Sequence, residues 1–195
     1  MQTFADHVTQ QTRTLPNSRM LDLGAVIGGS LLMALCAHVS IPLWFTPVPI
    51  TLQTFGVMLL ALTLGGWRSA AALVLYLIEG ASGLPVFNPH GLGGVAQIIG
   101  PTGGFLMAYP LAALAGGLIA HNLLRRSRVL AFPVGAIACE FIIFLFGAMW
   151  LALLSHQPAR AILVAAVLPF IPGEVLKTAA AVALALGKRS RAVRA

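Results

Sequence analysis

Glu174 and Lys177 are the two ionisable residues of the segment P-F-I-P-G-E-V-L-K, at residues 169–177. Residues three apart share one face of a helix, so the two side chains are expected to point in the same direction. Glu174 falls in the first turn of the helix that Pro172 is expected to open, where the helix dipole favours an anion. Inside a membrane such residues are costly and are usually retained for function. The alternative is a mutual ion pair without a ligand.

Two other carboxylates lie in apolar sequence. Glu140 falls in the middle of an apolar stretch, where it either lines a cavity or pairs with another helix, and the sequence leaves both roles open. Glu79 ends a shorter apolar stretch, where interfacial solvation accounts for it. The histidines show no metal-ligand spacing, and the sequence contains no nucleotide-binding P-loop, zinc-protease motif or nucleophile-base set. We therefore predict no metal site and no catalytic residue.

Long charge-free stretches surround these residues, with no Asp, Glu, Lys or Arg at residues 23–67 or 80–124. Hydrophobic residues make up 58% of the chain and charged residues 9%, and the mean hydropathy is +0.92, all outside the range of soluble domains. Both stretches contain Pro- and Gly-rich segments, at residues 41–53 and 83–94. Lipid cannot satisfy the hydrogen bonds of such irregular backbone, but protein and water can. The sequence therefore predicts a membrane-embedded helical bundle with a pocket at these segments.

Six apolar segments are candidates for membrane-spanning helices, which need about 20 residues. The second and third are short and are joined by a tight Gly-Trp-Arg hairpin. A further apolar segment, at residues 159–168, ends at Pro169 and is expected to be a short helix that leads into the sixth span. The predicted spans are residues 21–40, 51–66, 69–80, 101–124, 132–154 and 172–187. We divide the chain into a cytoplasmic amino-terminal segment (1–20), a six-helix membrane domain (21–187) and a basic cytoplasmic tail (188–195).

The basic residues give this bundle an orientation. With the amino terminus in the cytoplasm, ten of the twelve Lys and Arg residues lie inside, Arg160 alone lies outside, and Lys177 lies within the sixth span. Both termini are then cytoplasmic, and the Pro- and Gly-rich loops are external and cap a substrate pocket. The net charge of +7 reflects this topology and not nucleic-acid binding, because no basic run is interleaved with aromatic residues. The ten inner residues are Arg13, Arg19, Arg68, Arg125, Arg126, Arg128, Lys188, Arg189, Arg191 and Arg194.

Small residues recur at a spacing of four on the first predicted helix. Ala25 is followed by Gly29, and Ser30 by Ala34. This spacing forms ridges of small side chains that let another helix approach closely. The ridges serve either packing within the bundle or docking against a separate membrane subunit.

Four linked motifs, in order along the chain, resemble the BioY family. They are T-P-V-P-I-T-L-Q-T-F-G-V-M-L at residues 46–59, Y-L-I-E-G-A-S-G-L-P-V-F at 76–87, G-P-T-G-G-F-L-M-A-Y-P-L-A-A at 100–113, and the segment at 169–177. The resemblance extends over residues 24–187. BioY proteins are the biotin-specific substrate-binding (S) subunits of energy-coupling factor (ECF) transporters.

The chain departs from the family pattern at three places. Glu174 stands where members usually have Asp, and Phe105 stands where they usually have Tyr. The sequence around His90 also lacks the run of small residues that is common there. Because Glu is one methylene longer than Asp, the pocket around Glu174 is expected to differ slightly from that of typical members.

The resemblance implies a multi-pass protein of a prokaryotic cell membrane that captures biotin from outside. It implies three partner subunits, namely a transmembrane coupling subunit and two ATP-binding subunits that supply the energy, with the ridges on the first helix as the docking surface. It implies neither an enzyme nor a cofactor. The alternatives are an S subunit for another vitamin, and an intramembrane enzyme or proton-coupled carrier, for which no catalytic set or carboxylate relay is visible.

Biotin presents two ureido N–H donors, a ureido carbonyl, an apolar bicycle and a carboxylate, and each polar group needs a partner when buried. On the resemblance, Glu174 is expected to accept a ureido N–H, and Lys177 to donate to an oxygen. Asn88 both donates and accepts, so it is compatible with either end of the ligand, and this assignment stays open. The other predicted ligand contacts are polar groups (Gln53, Thr51 and Tyr109), rings that cover the bicycle (Phe87, Trp44 and Phe55), and a glycine pair where backbone approaches the ligand (Gly103 and Gly104).

Overall fold

The computed structural model describes the backbone of residues 15–194 and the side chains of residues 19–187. Arg13 and the side chains of the basic tail, on which part of the predicted orientation rests, lie outside the described residues. Within the described part, helices dominate and one short β-ladder joins them. The elements are α1 (Leu15–His38), β1 (Ser40–Ile41), β2 (Ile50–Thr51), α2 (Gln53–Leu64), α3 (Gly66–Ala81), α4 (Gly94–Ile99), α5 (Gly103–Leu123), α6 (Arg128–Ser155), α7 (Ala159–Ala166) and α8 (Ile171–Arg194).

The short helix α2 lies at the centre of the bundle. It contacts α1, α3, α5, α6 and α8, and buried side chains such as Val57, Met58 and Leu62 cover its circumference. A helix of 12 residues rises about 18 Å, which is less than the hydrocarbon core of roughly 30 Å. Neighbouring helices shield α2 from lipid, so its length need not match the thickness of the membrane.

Helices α5 and α6 form the most extensive helix pair, and small residues bring them together. A Cβ atom on Gly116 of α5 would lie 2.5 Å from the carbonyl oxygen of Gly135 in α6, and one on Gly135 would lie 2.7 Å from the carbonyl oxygen of Gly116. The backbones therefore touch without intervening side chains, as in small-residue contacts between membrane helices. This contact fixes α6 beside α5 and thereby orients the α6 side chains that face α8.

Three helices in the described part are long and apolar enough to cross a membrane, at Arg19–His38, Gly103–Leu123 and Arg128–Ser155. The pair Ala159–Ala166 and Ile171–Gly187, bent by 50°, is a fourth candidate if it forms one broken span. The structure thus confirms a mostly helical fold with several apolar spans. Six spans remain a prediction, because α2 and α3 have only 12 and 16 residues.

Several element boundaries differ from those expected. Helix α1 already includes residues 15–20, and α8 continues to Arg194 beyond the predicted end at residue 187. No helix-breaking residue interrupts either extension: Pro16 stands in the first turn of α1, where proline is tolerated, and one glycine at position 187 does not stop a helix. Only Gly65, with φ of +83°, separates α2 from α3, so their turn is tighter than the predicted hairpin.

Three short elements were not predicted. The strands β1 and β2 pair antiparallel, with Ser40 opposite Thr51 and Ile41 opposite Ile50. Helix α4 lies between the third and fourth predicted spans, where the sequence suggested an irregular loop. The three elements satisfy backbone hydrogen bonds within the two predicted loops, as buried or membrane-embedded backbone requires.

Candidate functional site

Glu174, Lys177 and Thr54 form a closed hydrogen-bonded cluster between α8 and α2. Lys177 Nζ donates to Glu174 Oε1 at 2.6 Å, and Thr54 Oγ1 donates to Glu174 Oε2, also at 2.6 Å. Lys177 Nζ also donates to Thr54 Oγ1 at 3.1 Å. The side chains of Lys177 and Glu174 are only 10% and 9% exposed, so water contributes little to their solvation. Both oxygens of Glu174 are therefore held in place by the protein.

This cluster lies at one wall of a cavity between α2, α5, α6 and α8. Three aromatic rings, here called the aromatic wall, also line the cavity. The ring centroids of Phe105 and Phe144 are 6.4 Å apart with planes at 86°, and those of Phe144 and Phe170 are 6.5 Å apart. The cavity thus combines one charged pair with an aromatic wall, which suits a ligand with both polar and apolar parts. Its lining residues are Val48, Pro49, Thr51, Gln53, Thr54, Asn88, Gln97, Thr102, Phe105, Leu106, Tyr109, Ile143, Phe144, Phe170, Glu174 and Lys177.

A second cavity adjoins the first at the loop end of the bundle. The two share Pro49, Asn88, Gln97 and Thr102, so the second cavity lies between the loops and the cavity that holds the charged cluster. The walls of the second cavity come from the segment between β1 and β2 and from the segments on either side of α4. A ligand that enters between these segments meets polar amide groups before it reaches Glu174.

Side-chain contacts hold these segments together. Ser40 Oγ and His90 Nδ1 are 2.9 Å apart and join the segment after α1 to the segment before α4. Thr46 Oγ1 donates to the carbonyl oxygen of Ala165 in α7 at 2.6 Å. Trp150 Nε1 donates to the carbonyl oxygen of Gly100 at 2.8 Å, which fixes the turn before α5. Each contact spans elements distant in sequence, so the loops around the cavities have a defined arrangement.

The polar residues predicted to contact a ligand gather at the first cavity. Glu174, Lys177, Asn88, Gln53, Thr51 and Tyr109 all line it. Gln53 is also tied to the protein, because its Nε2 donates to the hydroxyl of Tyr76 at 2.8 Å and its Oε1 accepts from Thr51 at 3.2 Å. Asn88 is 6% exposed, and its Oδ1 accepts from the backbone N–H of His90 at 3.1 Å. These contacts orient both amides before any ligand arrives.

The apolar residues predicted to cover a ligand lie elsewhere. Phe87 packs edge-on against Tyr76, with ring centroids 5.3 Å apart, in the space left by Gly80. Phe55 packs against the core from α2 and is not in the cavity lining. Trp44 is 96% exposed and contacts Phe45. The structure therefore does not bring these three rings to the cavity.

The predicted glycine pair lies at the start of α5, where it packs against neighbouring elements. A Cβ atom on Gly103 would collide with the backbone carbonyl of Ile98, and one on Gly104 would collide with Trp150. Neither glycine lines the cavity. The pair lets the start of α5 approach α4 and α6 closely, and its contact with a ligand stays a prediction.

Sequence reasoning missed Thr54, Gln97, Thr102 and the aromatic wall. Thr54 directly follows Gln53 in T-L-Q-T, and Phe105 and Phe170 belong to the two motifs that also contain Tyr109 and Glu174. Their presence in these motifs was the available signal. Uncharged polar and aromatic residues occur throughout the chain, however, so residue type alone did not single them out.

The four small residues of the predicted docking ridges on α1 differ in their burial. Gly29 is buried, and a Cβ atom there would lie 2.8 Å from Cβ of Ala72 in α3. Ser30 is fully buried and donates to Glu79 Oε2 at 2.9 Å. These two residues serve packing between α1 and α3. Ala25 and Ala34 are half-buried, and Ala25 lines a surface groove beside α2.

A model of the BioY family matches residues 9–194. The chain belongs to the BioY family. The resemblance drawn from the four motifs is therefore confirmed, and family membership makes this chain a transport protein and not an enzyme. Among its relatives, the biotin transporter BioY of Rhodobacter capsulatus is 42% identical over 157 residues, which cover 76% of this chain and 82% of that protein. The probable biotin transporter BioY of Pyrococcus horikoshii is 40% identical over 139 residues, covering 71% and 79%.

A solved structure shares the fold of this BioY-family chain. It is the crystal structure, at 2.1 Å, of the S-component for biotin from an ECF-type ABC transporter. The two superpose with a TM-score of 0.82 at 25% sequence identity, over 91% of this chain and 95% of that one. The arrangement of helices around the central α2 is thus that of a transporter S-component.

Proposed function

We propose that this chain binds biotin and serves as the substrate-binding subunit of an ECF-type transporter. The observation that carries the proposal is the Glu174–Lys177–Thr54 cluster, which lines one cavity together with the aromatic wall in a member of the BioY family. Relatives named as biotin transporters and a fold neighbour that is the S-component for biotin support the choice of ligand. The charged pair suits the ureido group or carboxylate of biotin, and the wall suits its bicycle.

The chemistry of biotin assigns roles to the lining residues. Glu174 accepts from a ureido N–H, and Lys177 donates to an oxygen of the ligand. Charge-assisted hydrogen bonds of this kind contribute about 1.5–3 kcal/mol each. Asn88, placed where the two cavities meet, pairs with whichever polar end of biotin lies nearer the loops.

The remaining contacts follow from position in the cavity. Thr51 from β2, Gln53 from the start of α2 and Tyr109 from α5 supply further donors and acceptors. The rings that cover the bicycle are Phe105, Phe144 and Phe170 in place of the three rings expected from the sequence.

Calorimetric titration with biotin of the detergent-purified protein, freed of carried-over ligand, tests the proposal. We expect Glu174→Ala to weaken binding at least about tenfold, because it removes an acceptor of a charge-assisted hydrogen bond and leaves Lys177 without its counter-ion. Asp22→Asn is the matched control, since it alters a carboxylate in an exposed ion pair with Arg68, at the other end of α1 from the loops. Tight binding that survives Glu174→Ala would refute the role of Glu174. If the folded wild type does not bind biotin, the assignment of biotin as the ligand is wrong, and other vitamins would be titrated next.

We further infer that the chain crosses the cytoplasmic membrane of a prokaryote six times, with both termini in the cytoplasm and the loops capping the pocket outside. Supporting this, α2 and α3 are short but packed among longer helices, and the exposed residues Arg125, Arg126 and Arg128 lie together between α5 and α6. The Asp22–Arg68 ion pair lies at the end of the bundle that this topology assigns to the cytoplasm.

The partners we propose are the transmembrane coupling subunit of an ECF transporter and its two ATP-binding subunits. An apolar surface groove between α1, α2 and α8, which includes Ala25, supports docking at α1. Gly28 also lines this groove, and no atom lies within 4 Å of the position of its Cβ atom. The proposed docking surface therefore comprises Ala25 and Gly28, with Gly29 at the base of the groove and Ser30 buried against α3.

A further inference from the structure

Glu140 is a membrane-embedded carboxyl group that the proposed ligand contacts do not use. It lies in the middle of α6, and both of its carboxyl oxygens are shielded from solvent. Among the described residues, no hydrogen-bond donor reaches either oxygen. An ionised carboxylate without a partner costs several kcal/mol when it is removed from water, and in a membrane such residues are rare. The groups around Glu140 must therefore offset the cost of burying its carboxyl group.

Glu174 is the other ionisable residue of the groove in which Glu140 lies. Both glutamates line an apolar groove between α6 and α8, and Phe144 of the aromatic wall lines the same groove. Glu174 lines this groove and the ligand cavity, whereas Glu140 lines only the groove. Glu140 shares this groove with Glu174, and the charges of both Glu174 and Lys177 act on its carboxyl group. Phe144 also lines both, so Glu174 is the polar residue through which Glu140 can act on a ligand.

Charge balance decides how the two carboxyl groups coexist. Two ionised carboxylates and one ammonium group would leave a net negative charge in an apolar site. Of the other elements around Glu140, α5 contributes Tyr109 and α6 itself contributes Cys139, α2 contains no ionisable residue, and Arg160 of α7 is exposed. Among the described residues, Lys177 is thus the one cation of the cluster. A single proton between Glu140 and Glu174 makes the cluster neutral and supplies the missing donor.

We propose that Glu140 is a positioning residue of the ligand site, which holds a proton in a hydrogen bond to Glu174. This bond completes the set of contacts that Thr54 and Lys177 make to Glu174 and keeps its carboxylate turned toward the cavity. The apolar groove beside Glu140 keeps water from competing for the bond, since its walls include Ile137, Phe144 and Val175. The effect of Glu140 on biotin binding rests on the proposed function. The presence of a proton between Glu140 and Glu174 does not.

Binding of biotin to Glu140→Gln and Glu140→Leu tests the positioning role. The amide of Gln still donates to Glu174, so we expect affinity within about threefold of the wild type. Leu cannot donate, and we expect affinity to fall at least about tenfold, the loss of one charge-assisted hydrogen bond. Ile137→Leu, in the same groove, is the control for packing and should bind as the wild type does. Equal binding by Glu140→Leu and wild type, or an equal loss in both Glu140 variants, would overturn the proposal.

The proton itself is tested without ligand by infrared spectroscopy. We expect a carbonyl stretching band of a protonated carboxylic acid in the wild type, and its absence in Glu140→Gln. A band of unchanged intensity in Glu140→Gln would place the proton elsewhere and overturn the inference even if Glu140→Leu fails to fold. Suppose that the wild type does not bind biotin, but that its infrared band is absent from Glu140→Gln. The proposed function is then wrong, and the proton shared between Glu140 and Glu174 is confirmed.

Discussion

The hydroxyl group of Thr54 in α2 is both a donor and an acceptor of hydrogen bonds to the charged pair of α8. It donates to Glu174 and accepts from Lys177, which a hydroxyl can do at the same time. We predict that Thr54→Val, which keeps the shape of the side chain, weakens biotin binding about tenfold, because one contact to each charged group is lost. Calorimetric titration measures the change.

Thr54→Ser is the matched variant, since it keeps the hydroxyl and removes only a methyl group. Its affinity should stay within about threefold of the wild type, because the hydrogen bonds contribute more than one partly packed methyl. If Ser and Val weaken binding equally, the contribution of Thr54 is packing and not hydrogen bonding.

The charged pair was predictable from the sequence, and most of its surroundings were not. Glu174 and Lys177 stand out because ionisable residues are rare in apolar helices, and their spacing by itself places them on one face. The position of Phe87 was not predictable, because its ring fills the space left by Gly80, a contact between side chain and backbone that no local pattern encodes. The place of Gln97 in the cavity lining was not predictable, because Gln97 belongs to α4. The Gly- and Pro-rich composition around α4 indicated a loop and not a helix.

The contact between α5 and α6 depends on the absence of side chains at two glycines. We predict that Gly116→Ala destabilises the protein by about 1–3 kcal/mol, the usual effect of overpacking, because the added methyl collides with Cys139 and with the backbone of Gly135. For a chain of this length that is a fall in Tm of several degrees. Thermal unfolding in detergent, followed by circular dichroism, gives the Tm.

Gly24→Ala is the control for helix propensity. Its Cβ atom meets nothing within 4 Å, so alanine in this helix should be neutral or slightly stabilising. A Tm for Gly116→Ala that equals the wild-type value would mean that α5 and α6 move apart at little cost, and that their close contact does not stabilise the fold.

The long helices followed from hydrophobic length, whereas the short elements did not. Segments near 20 apolar residues predicted α1, α5 and α6 because the membrane sets that length. The strands β1 and β2 have two residues each and arise from pairing across a proline-rich loop, which leaves no periodic signal. The end of α8 was predicted wrongly. The basic residues after position 187 were expected to follow the helix at the membrane boundary, but the helix continues through them to Arg194.

The groove proposed for docking and the ligand cavity share no lining residue, so docking and ligand binding should be separable by mutation. We predict that Gly28→Leu abolishes co-purification with a co-expressed ECF coupling subunit, because the larger side chain occupies the groove beside α2. Biotin affinity should remain unchanged, since Gly28 does not line the ligand cavity. Ala71→Leu, at an exposed position of α3, is the matched control and should co-purify normally. Normal recovery of the Gly28→Leu complex would exclude this face as the docking surface.

The orientation of the whole molecule decides from which side the ligand reaches the cavity, and labelling of single cysteines measures it. The native residues Cys36 and Cys139 are buried, so a membrane-impermeant maleimide should leave the parent protein unlabelled. We predict that Trp44→Cys, at a loop position 96% exposed, is labelled in intact spheroplasts, whereas Arg126→Cys, between α5 and α6, is labelled only after lysis. The reverse pattern would place the loops and the mouth of the cavity in the cytoplasm. Capture from outside would then be impossible by this path, even with a site that binds biotin tightly.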